Sequence, residues 1–220
     1  MSNAILACGS LVDYVMEAQR RMETAWPMTV LDRKYHRDPK EMRAHVIDAV
    51  NGMPPEVDTV LVGMGFCGGS WESVSFGRRV VIPRVDDCVT LLLHTDDAYC
   101  PDLKQKGHLY MKDRDPRQFS LRRIFEDYTE GSGPEAKELL FHRWFDSYTH
   151  VDVVDAGLYD CHTEEYQREA RANADWIGAT VEQVRGSMIL LEKLVSGRWD
   201  EQFLVAEPGH VIRRQDFFEA

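Results

Sequence analysis

The chain has 220 residues, of which 44% are hydrophobic and 29% are charged, a balance typical of a globular protein of one or two domains. The net charge of −11 and the lack of any lysine- and arginine-rich run argue against nucleic-acid binding. No apolar stretch reaches the ~20 residues that a membrane-spanning helix needs. Five cysteines in a chain without a recognisable secretory signal favour reduced thiols. We therefore expect a cytoplasmic protein with no nucleic-acid or membrane partner.

The first elements of the chain predict a strand, a helix and a second strand. A short apolar run from Ala4 ends at Cys8 and a glycine. Ser10 is a candidate N-cap for the amphipathic helix that follows. A weaker strand begins at Pro27 and leads to His36, which therefore also lies near a strand end.

The next segment contains the run that organises the chain. Asp38 followed by Pro39 predicts a helix over 40–50, because an N-cap aspartate and a proline at the first helical position are common helix starts. Val57–Val62 is short and rich in β-branched residues, which is typical of a strand buried on both faces. Glycines and Cys67 follow this run, so a thiol stands near the point where the strand ends.

A third apolar run, Arg79–Pro83, leads to another cysteine. We predict a helix over 87–94, with Asp86 or Asp87 as its N-cap and Cys88 in its first turn. A thiol in that position feels the positive end of the helix dipole, which favours the reactive, metal-binding thiolate.

The remainder of the chain predicts a polar excursion and then further helices and strands. Residues 95–130 are mostly polar, become helical after Ser120, and are predicted to cover part of the sheet's mouth. Gly131–Pro134 is the clearest boundary signal. The later elements are predicted as a helix over 135–148, a strand over 151–158, a helical region from Thr163 through 171 that continues with interruptions towards 195, and a strand over 203–209.

The alternation of helices and strands indicates an α/β protein with a Rossmann-like or flavodoxin-like parallel sheet. We predict a single α/β domain over 1–220, with possible βα-alternating halves 1–130 and 134–220. In open sheets of this class, ligands bind beyond the carboxyl ends of the strands.

Three of the predicted strands lead to a cysteine, at Cys8, Cys67 and Cys88. Free cysteines are among the most buried residue types, so each of these alone would be an ordinary core residue. Adjacent strands lie about 4.8 Å apart, and neighbouring strands would therefore bring the thiols together. Three cysteines at equivalent places favour one shared site.

Three thiolates suit Zn²⁺ or an iron–sulfur cluster, and we predict Cys8, Cys67 and Cys88 as the metal ligands. His36, water or substrate would take the fourth position. The spacing contains no CxxC pair or HExxH helix, so this prediction depends on the fold alone.

Other residues at the same edge predict ligand binding. Arg84 follows a strand and could present its guanidinium to a carboxylate or phosphate, helped by the amides of Gly68 and Gly69. An ion pair of Arg84 with a nearby aspartate is the alternative. Asp87 would either orient a ligand or cap a helix, and the cap is favoured.

Two other functional classes remain open. In a metal-free enzyme, Cys67 or Cys88 would be the catalytic nucleophile and another cysteine its partner. In a non-catalytic module, the same residues would carry or insert a cofactor. We interpret Cys100 and the Cys161-His162 pair as incidental. The remaining histidines without ligand spacing are interpreted as surface or structural: His94, His108, His142, His150 and His210.

Several motifs together resemble domain-of-unknown-function family 1638. They are Ala7-Cys8-Gly9-Ser10, His36 with Pro39, Gly65-Phe66-Cys67-Gly68, Ile82-Pro83-Arg84 with Asp87-Cys88, Gly186, Gly197 with Trp199-Asp200, and Pro208-Gly209. The resemblance covers nearly the whole chain and implies an uncharacterised α/β protein of a kind common in anaerobes and methanogens. It further implies corrinoid-dependent methyl-transfer metabolism as the setting, with proteins of corrinoid methyltransferase systems as partners and a small anionic or thiol molecule as ligand.

Overall fold

The computed structural model describes residues 2–219, which form helices and strands in alternation. The strands are β1 Asn3–Cys8, β2 Met28–Leu31, β3 Thr59–Gly63, β4 Arg79–Pro83, β5 His108–Met111, β6 His150–Asp155, β7 Thr180–Arg185 and β8 Phe203–Ala206. The helices are α1 Val12–Arg21, α2 Pro39–Asn51, α3 Cys88–Leu93, α4 Leu121–Tyr128, α5 Pro134–Phe145, α6 Glu164–Ile177, α7 Ile189–Ser196 and α8 Gln215–Phe218.

The chain divides into two compact units. Unit 1 comprises Met1–Leu103 and Ser187–Ala220, and unit 2 comprises Lys104–Gly186. The predicted halves divide the chain elsewhere, since Gly131–Pro134 lies inside unit 2 between α4 and the start of α5. The single-domain assignment over 1–220 stays a prediction.

Unit 1 contains a five-stranded sheet in the order β2-β1-β3-β4-β8. The first four strands are parallel, and β8 pairs antiparallel with β4. This arrangement, with helices between the parallel strands, confirms the Rossmann-like or flavodoxin-like class. It also makes β1, β3 and β4 direct neighbours, as the convergence of their carboxyl ends requires.

The strands of the unit 1 sheet are buried on both faces. Every residue of β3 is buried, as are all but the first residues of β1 and β4. Helix α7 packs against α1 and against β3 and β4. The strands of a parallel sheet that is covered by helices are continuous apolar runs, which explains why the sequence alone predicts β3.

Unit 2 contains the three-stranded parallel sheet β5-β6-β7. One face of this sheet packs Met111, Val151 and Val153 against Tyr166 and Ala170 of α6. Because side chains alternate along a strand, the residues between these apolar positions belong to the opposite face.

Several predicted helix starts are confirmed by their capping hydrogen bonds. The side chains of Asp38, Asp87, Ser120 and Thr163 each accept from a backbone N–H in the first turn of α2, α3, α4 and α6 respectively. The prediction that Ser10 is the N-cap of the first helix is wrong, since α1 begins after Leu11 and Ser10 instead contacts the Cys8 thiol.

The helical region predicted from Thr163 towards 195 is wrong in its middle part. Gly178 takes a left-handed conformation with φ 72°, which ends α6, and β7 follows before α7. Most side chains of β7 are exposed, so the strand lacks an apolar pattern that would announce it. β5 is also absent from the sequence prediction, because it is a four-residue strand within the mostly polar residues 95–130.

None of the helices among the described residues combines the length and the apolar composition needed to cross a membrane.

Candidate metal centre

A cluster of sulfur and nitrogen donors lies at the carboxyl edge of the unit 1 sheet. Cys8 is the last residue of β1, Cys88 is the first residue of α3, and His36 lies in the 3-10 helix Arg33–Arg37 that follows β2. Their ligand atoms all lie within 4.8 Å of one another. We call Cys8, His36 and Cys88 the thiol cluster.

A glycine brings β1 and the end of β2 together at this edge. The Gly9 N–H donates to the Leu31 carbonyl at 2.7 Å. A Cβ atom at Gly9 would lie 3.0 Å from that carbonyl and 3.3 Å from the Arg33 nitrogen. The close approach places the 3-10 helix that carries His36 beside the Cys8 thiol.

The 3-10 helix is held by its own cap and by an aromatic stack. The Asp32 side chain accepts from the Lys34 N–H at 2.9 Å. The Tyr35 ring stacks on His45 of α2, with ring centroids 3.6 Å apart and an interplanar angle of 20°. These contacts hold the backbone that precedes His36, whose ring reaches the cluster while remaining solvent-exposed.

The loops after β3 and β4 are joined by an equally close contact. A Cβ atom at Gly65 would lie 2.8 Å from the Val85 carbonyl and 2.9 Å from the Asp87 backbone. The Cys67 N–H donates to the Asp86 carbonyl at 2.7 Å. Asp87 then caps α3 through bonds from the next two N–H groups after Cys88, so the predicted capping role of Asp87 is the one the structure shows.

The environment of Cys8 opposes its ionisation. Its sulfur lies 2.9 Å from His36 Nε2 and 3.2 Å from Ser10 Oγ. Hydrogen bonding to Cys88 and then burial raise the pKa of Cys8 to about 12, while His36 acts in the opposite direction. Two thiols therefore share a buried position in which a second negative charge is costly unless a cation accompanies it.

Cys67 lies outside the thiol cluster, although the sequence predicted it as a metal ligand. Its sulfur does not belong to any of the groups of donors that converge among the described residues. β3 ends at Gly63, so a loop carries Cys67 beyond the strand end, whereas Cys8 is itself a strand residue. Cys67 is partly exposed and has φ 48°, followed by φ 67° at Gly68 and 97° at Gly69.

Arg84 does not take the anion-binding position that the sequence predicted. Its guanidinium donates to the backbone carbonyls of Glu201, Asp216 and Glu219, and it stacks 4.2 Å from the centre of the Tyr99 ring. The antiparallel strand β8 is the reason, since it places the segment before it beside the end of β4. Arg84 thus anchors the C-terminal segment.

Sequence reasoning missed Arg43, an arginine of α2 beside the loop after β3. Its Nη2 donates to the Gly69 carbonyl at 2.7 Å, and its Nε is buried without a hydrogen-bond partner among the described residues. Gly68 and Gly69 therefore do lie beside a guanidinium, but it comes from a helix. A lone arginine in an amphipathic helix carries no sequence signal that separates it from an ordinary surface residue.

The fold and this cluster together define an α/β protein with a cysteine–histidine site at the carboxyl ends of its parallel strands. The chain belongs to the family described as Protein of unknown function (DUF1638), whose model matches residues 30–195. His36 and Cys88 lie within the matched range and Cys8 precedes it. No curated protein and no solved structure matches the chain.

Proposed function

We propose that this protein binds one zinc ion through Cys8, His36 and Cys88 and leaves a further coordination position open to a small thiol ligand. The convergence of two sulfur atoms and one imidazole nitrogen within 4.8 Å carries the proposal. Catalytic zinc sites keep three protein ligands and an open position, and a Cys₂His donor set is one that zinc enzymes use. An iron–sulfur cluster is less well supported, because it ordinarily takes four cysteines.

The electrostatics of the cluster support a cation. Cys8 is fully buried and its pKa is raised to about 12, chiefly by its contact with Cys88 and by burial. A divalent cation relieves the repulsion between two thiolates and displaces their protons, so binding is coupled to proton release. His36, which is exposed, gives the ion a path from solvent.

An arginine beside the loop after β3 suits an anionic group on the ligand. Arg43 offers a buried Nε without a partner among the described residues, beside the loop formed by Gly68 and Gly69. A carboxylate or sulfonate bound there would be oriented by a planar, always-charged donor. Arg43 thus replaces Arg84 as the proposed anion-binding residue.

Zinc at such a site supplies a Lewis acid that holds a ligand thiol as thiolate near neutral pH. The proposed reaction is methyl transfer from a methylated corrinoid. In that reaction the thiolate sulfur would attack the methyl carbon of the corrinoid substrate, so that a sulfur–carbon bond forms as the cobalt–carbon bond breaks and its electron pair is left on cobalt as Co(I). Cys8, His36 and Cys88 hold the site, and Arg43 fixes the ligand's orientation. The corrinoid donor rests on the family resemblance.

Cobalt substitution tests the site. Co²⁺ bound by thiolates gives a sulfur-to-metal charge-transfer band, and we expect this band in the wild-type protein and its loss in Cys8→Ser and Cys88→Ser. Elemental analysis should also show that each of these variants contains about one zinc per chain fewer than wild type. The matched control Cys100→Ser should behave as wild type.

Cys67→Ser separates the proposal from the three-cysteine alternative. We expect full zinc content and an unchanged cobalt spectrum, because Cys67 lies outside the thiol cluster. If metal is absent from all variants and Cys67 alone reacts with an alkylating reagent, the metal-free nucleophile is the correct function. The reaction itself is tested by incubating the protein with methylcobalamin and a small sulfonated thiol. Zinc binding without turnover would indicate a non-catalytic binding module.

A further inference from the structure

A second group of metal-ligating side chains lies in unit 2, at the amino ends of its three parallel strands. His108 begins β5, and its register partner His150 begins β6. Asp152 is paired in register with Glu182 of β7. Alternation along the strands places all of these side chains on the face opposite to α6. The sequence placed His108 and His150 among surface or structural histidines.

The donor atoms of three of these side chains converge. His108, Asp152 and Glu182 offer ligand atoms within 4.8 Å of one another. Asp152 Oδ2 lies 2.8 Å from His108 Nδ1. We call these three residues the carboxylate cluster.

The buried carboxylate is only half satisfied. The Asp152 side chain is 1% exposed, and its Oδ1 has no hydrogen-bond partner among the described residues. Burial raises the pKa of Asp152 and His108 opposes the rise, so the contact with His108 offsets only part of the cost of burying this group. Buried acceptor oxygens are almost always paired, which makes this atom an exception in need of a cation or donor.

His150 completes the surroundings of the cluster. Its ring is stacked on His108 with centroids 4.2 Å apart and an interplanar angle of 9°. Its Nδ1 lies 2.8 Å from Thr149 Oγ1, which orients the ring, and its Nε2 lies 3.4 Å from Glu182 Oε1. Two parallel imidazoles beside two carboxylates resemble a ligand shell more than a packing contact.

We propose that His108, Asp152 and Glu182 bind a divalent transition-metal ion, with His150 as a fourth ligand or as the residue that positions Glu182. One imidazole with two carboxylates is harder than the thiol cluster and fits Mn²⁺, Fe²⁺ or Zn²⁺. Donor atoms around one such ion lie about 3–4 Å apart, so a small movement of side chains closes the site. Glu182 is 54% exposed and therefore provides the entry path.

Manganese separates this site from the thiol cluster, because thiolates discriminate against Mn²⁺. Mn²⁺ is titrated into the full chain carrying Cys8→Ser, and free Mn²⁺ is followed by electron paramagnetic resonance. A parallel titration with Zn²⁺ is followed by calorimetry. We expect saturable binding of about one ion per chain for at least one of the two metals.

Substitutions then assign the ligands. Glu182→Gln, at an exposed position, and the isosteric Asp152→Asn should each weaken binding about tenfold or more. Glu130→Gln, which removes an exposed carboxylate elsewhere in unit 2, should have no effect. The proposal is overturned if neither Mn²⁺ nor Zn²⁺ binds, or if binding survives both Glu182→Gln and Asp152→Asn in folded protein.

Discussion

The thiol cluster and the carboxylate cluster are assembled in opposite ways. The thiol cluster lies at the carboxyl ends of parallel strands, and two of its three members, His36 and Cys88, stand beyond the strands that lead to them. In the carboxylate cluster, His108, Asp152 and Glu182 are all strand residues near the amino ends. The first geometry depends on how closely loops approach each other, whereas the second is set by strand register.

The two clusters also differ in chemistry. Two sulfur donors and one nitrogen favour zinc and other thiophilic ions, while one nitrogen and two carboxylates favour harder ions. The two clusters belong to different units, and each can therefore be tested in the presence of the other. Substitutions in unit 1 should change zinc and cobalt binding without changing manganese binding.

The largest effect is expected from removing the imidazole of the thiol cluster. Since His36 supplies one of three donors, His36→Ala should weaken zinc binding by more than the 10–100-fold loss, about 1.4–2.7 kcal/mol, that is typical of removing a residue which only orients a ligand. His36→Cys, which restores a donor, should recover much of the affinity. The measurement is competition with a chromophoric chelator.

His45→Ala is the matched control for this histidine. It removes the ring on which Tyr35 stacks but no donor of the cluster, so its effect on zinc affinity should be smaller than that of His36→Ala. Equal losses in the two variants would mean that His36 acts through the loop and not as a ligand.

The next effect concerns the close contact that brings the loops of unit 1 together. Gly65→Ala introduces a Cβ 2.8 Å from the Val85 carbonyl, where only backbone can move, and should reduce the free energy of unfolding by about 2–3 kcal/mol. It should also weaken the cobalt–thiolate band, because Cys88 follows the displaced loop. Manganese binding in unit 2 should not change.

Gly77→Ala serves as its control, since a Cβ there meets no atom within 4 Å among the described residues. Denaturant unfolding gives the stability difference, and the cobalt spectrum reports the site. If Gly65→Ala changed stability and left the spectrum intact, the loop contact would be structural only.

The thiol cluster was largely predictable because its cysteines follow apolar runs. Buried parallel strands are recognisable by composition, and their adjacency follows from the α/β class. The sequence could not show that Cys67 lies too far along its loop, because loop conformation depends on the left-handed turn at Cys67 and Gly68. Arg84 was misplaced for a related reason, since the antiparallel pairing of β8 is a tertiary feature.

The carboxylate cluster was not predictable from the same signals. β5 has only four residues within a polar stretch, and most side chains of β7 are exposed, so neither strand is as recognisable from sequence as β3. Without these strands, His108 and Glu182 are isolated polar residues that lie 74 positions apart in sequence. Only the parallel register places them beside Asp152.

A pH dependence distinguishes the metal-free thiol cluster from an ordinary pair of cysteines. The pKa of Cys8 is about 12 in the folded protein and 9.0 as an ordinary thiol. Between these values the folded chain keeps a proton that the unfolded chain loses, so stability is fully present below pH 9 and falls as pH rises towards 12. Metal-free wild type should lose stability over this range more steeply than Cys8→Ser.

Chemical unfolding at a series of pH values, with chelator present throughout, measures this difference. Parallel curves for wild type and Cys8→Ser would contradict the buried contact with Cys88. In a separate series with zinc and without chelator, stability should instead increase with pH below pH 9, because the ion competes with protons for the thiolates and its affinity increases with pH.

The smallest effect on the metal sites is expected from Arg84, and it decides between the two roles assigned to that residue. As an anchor, Arg84 donates to the carbonyls of Glu201, Asp216 and Glu219, and Arg84→Gln should lower stability by about 1.5–3 kcal/mol, the range for hydrogen bonds to charged groups. If Arg84 instead bound an anion, Arg84→Gln would weaken binding of the thiol ligand. Arg79→Gln, at the start of β4, removes a surface ion pair with Glu207 and should cost less than about 1 kcal/mol. In Arg84→Gln we expect faster amide hydrogen exchange in the C-terminal segment. The affinities for zinc, for manganese and for a sulfonated thiol should all remain at wild-type values. A loss of thiol affinity in Arg84→Gln but not in Arg43→Gln would return the anion-binding role to Arg84.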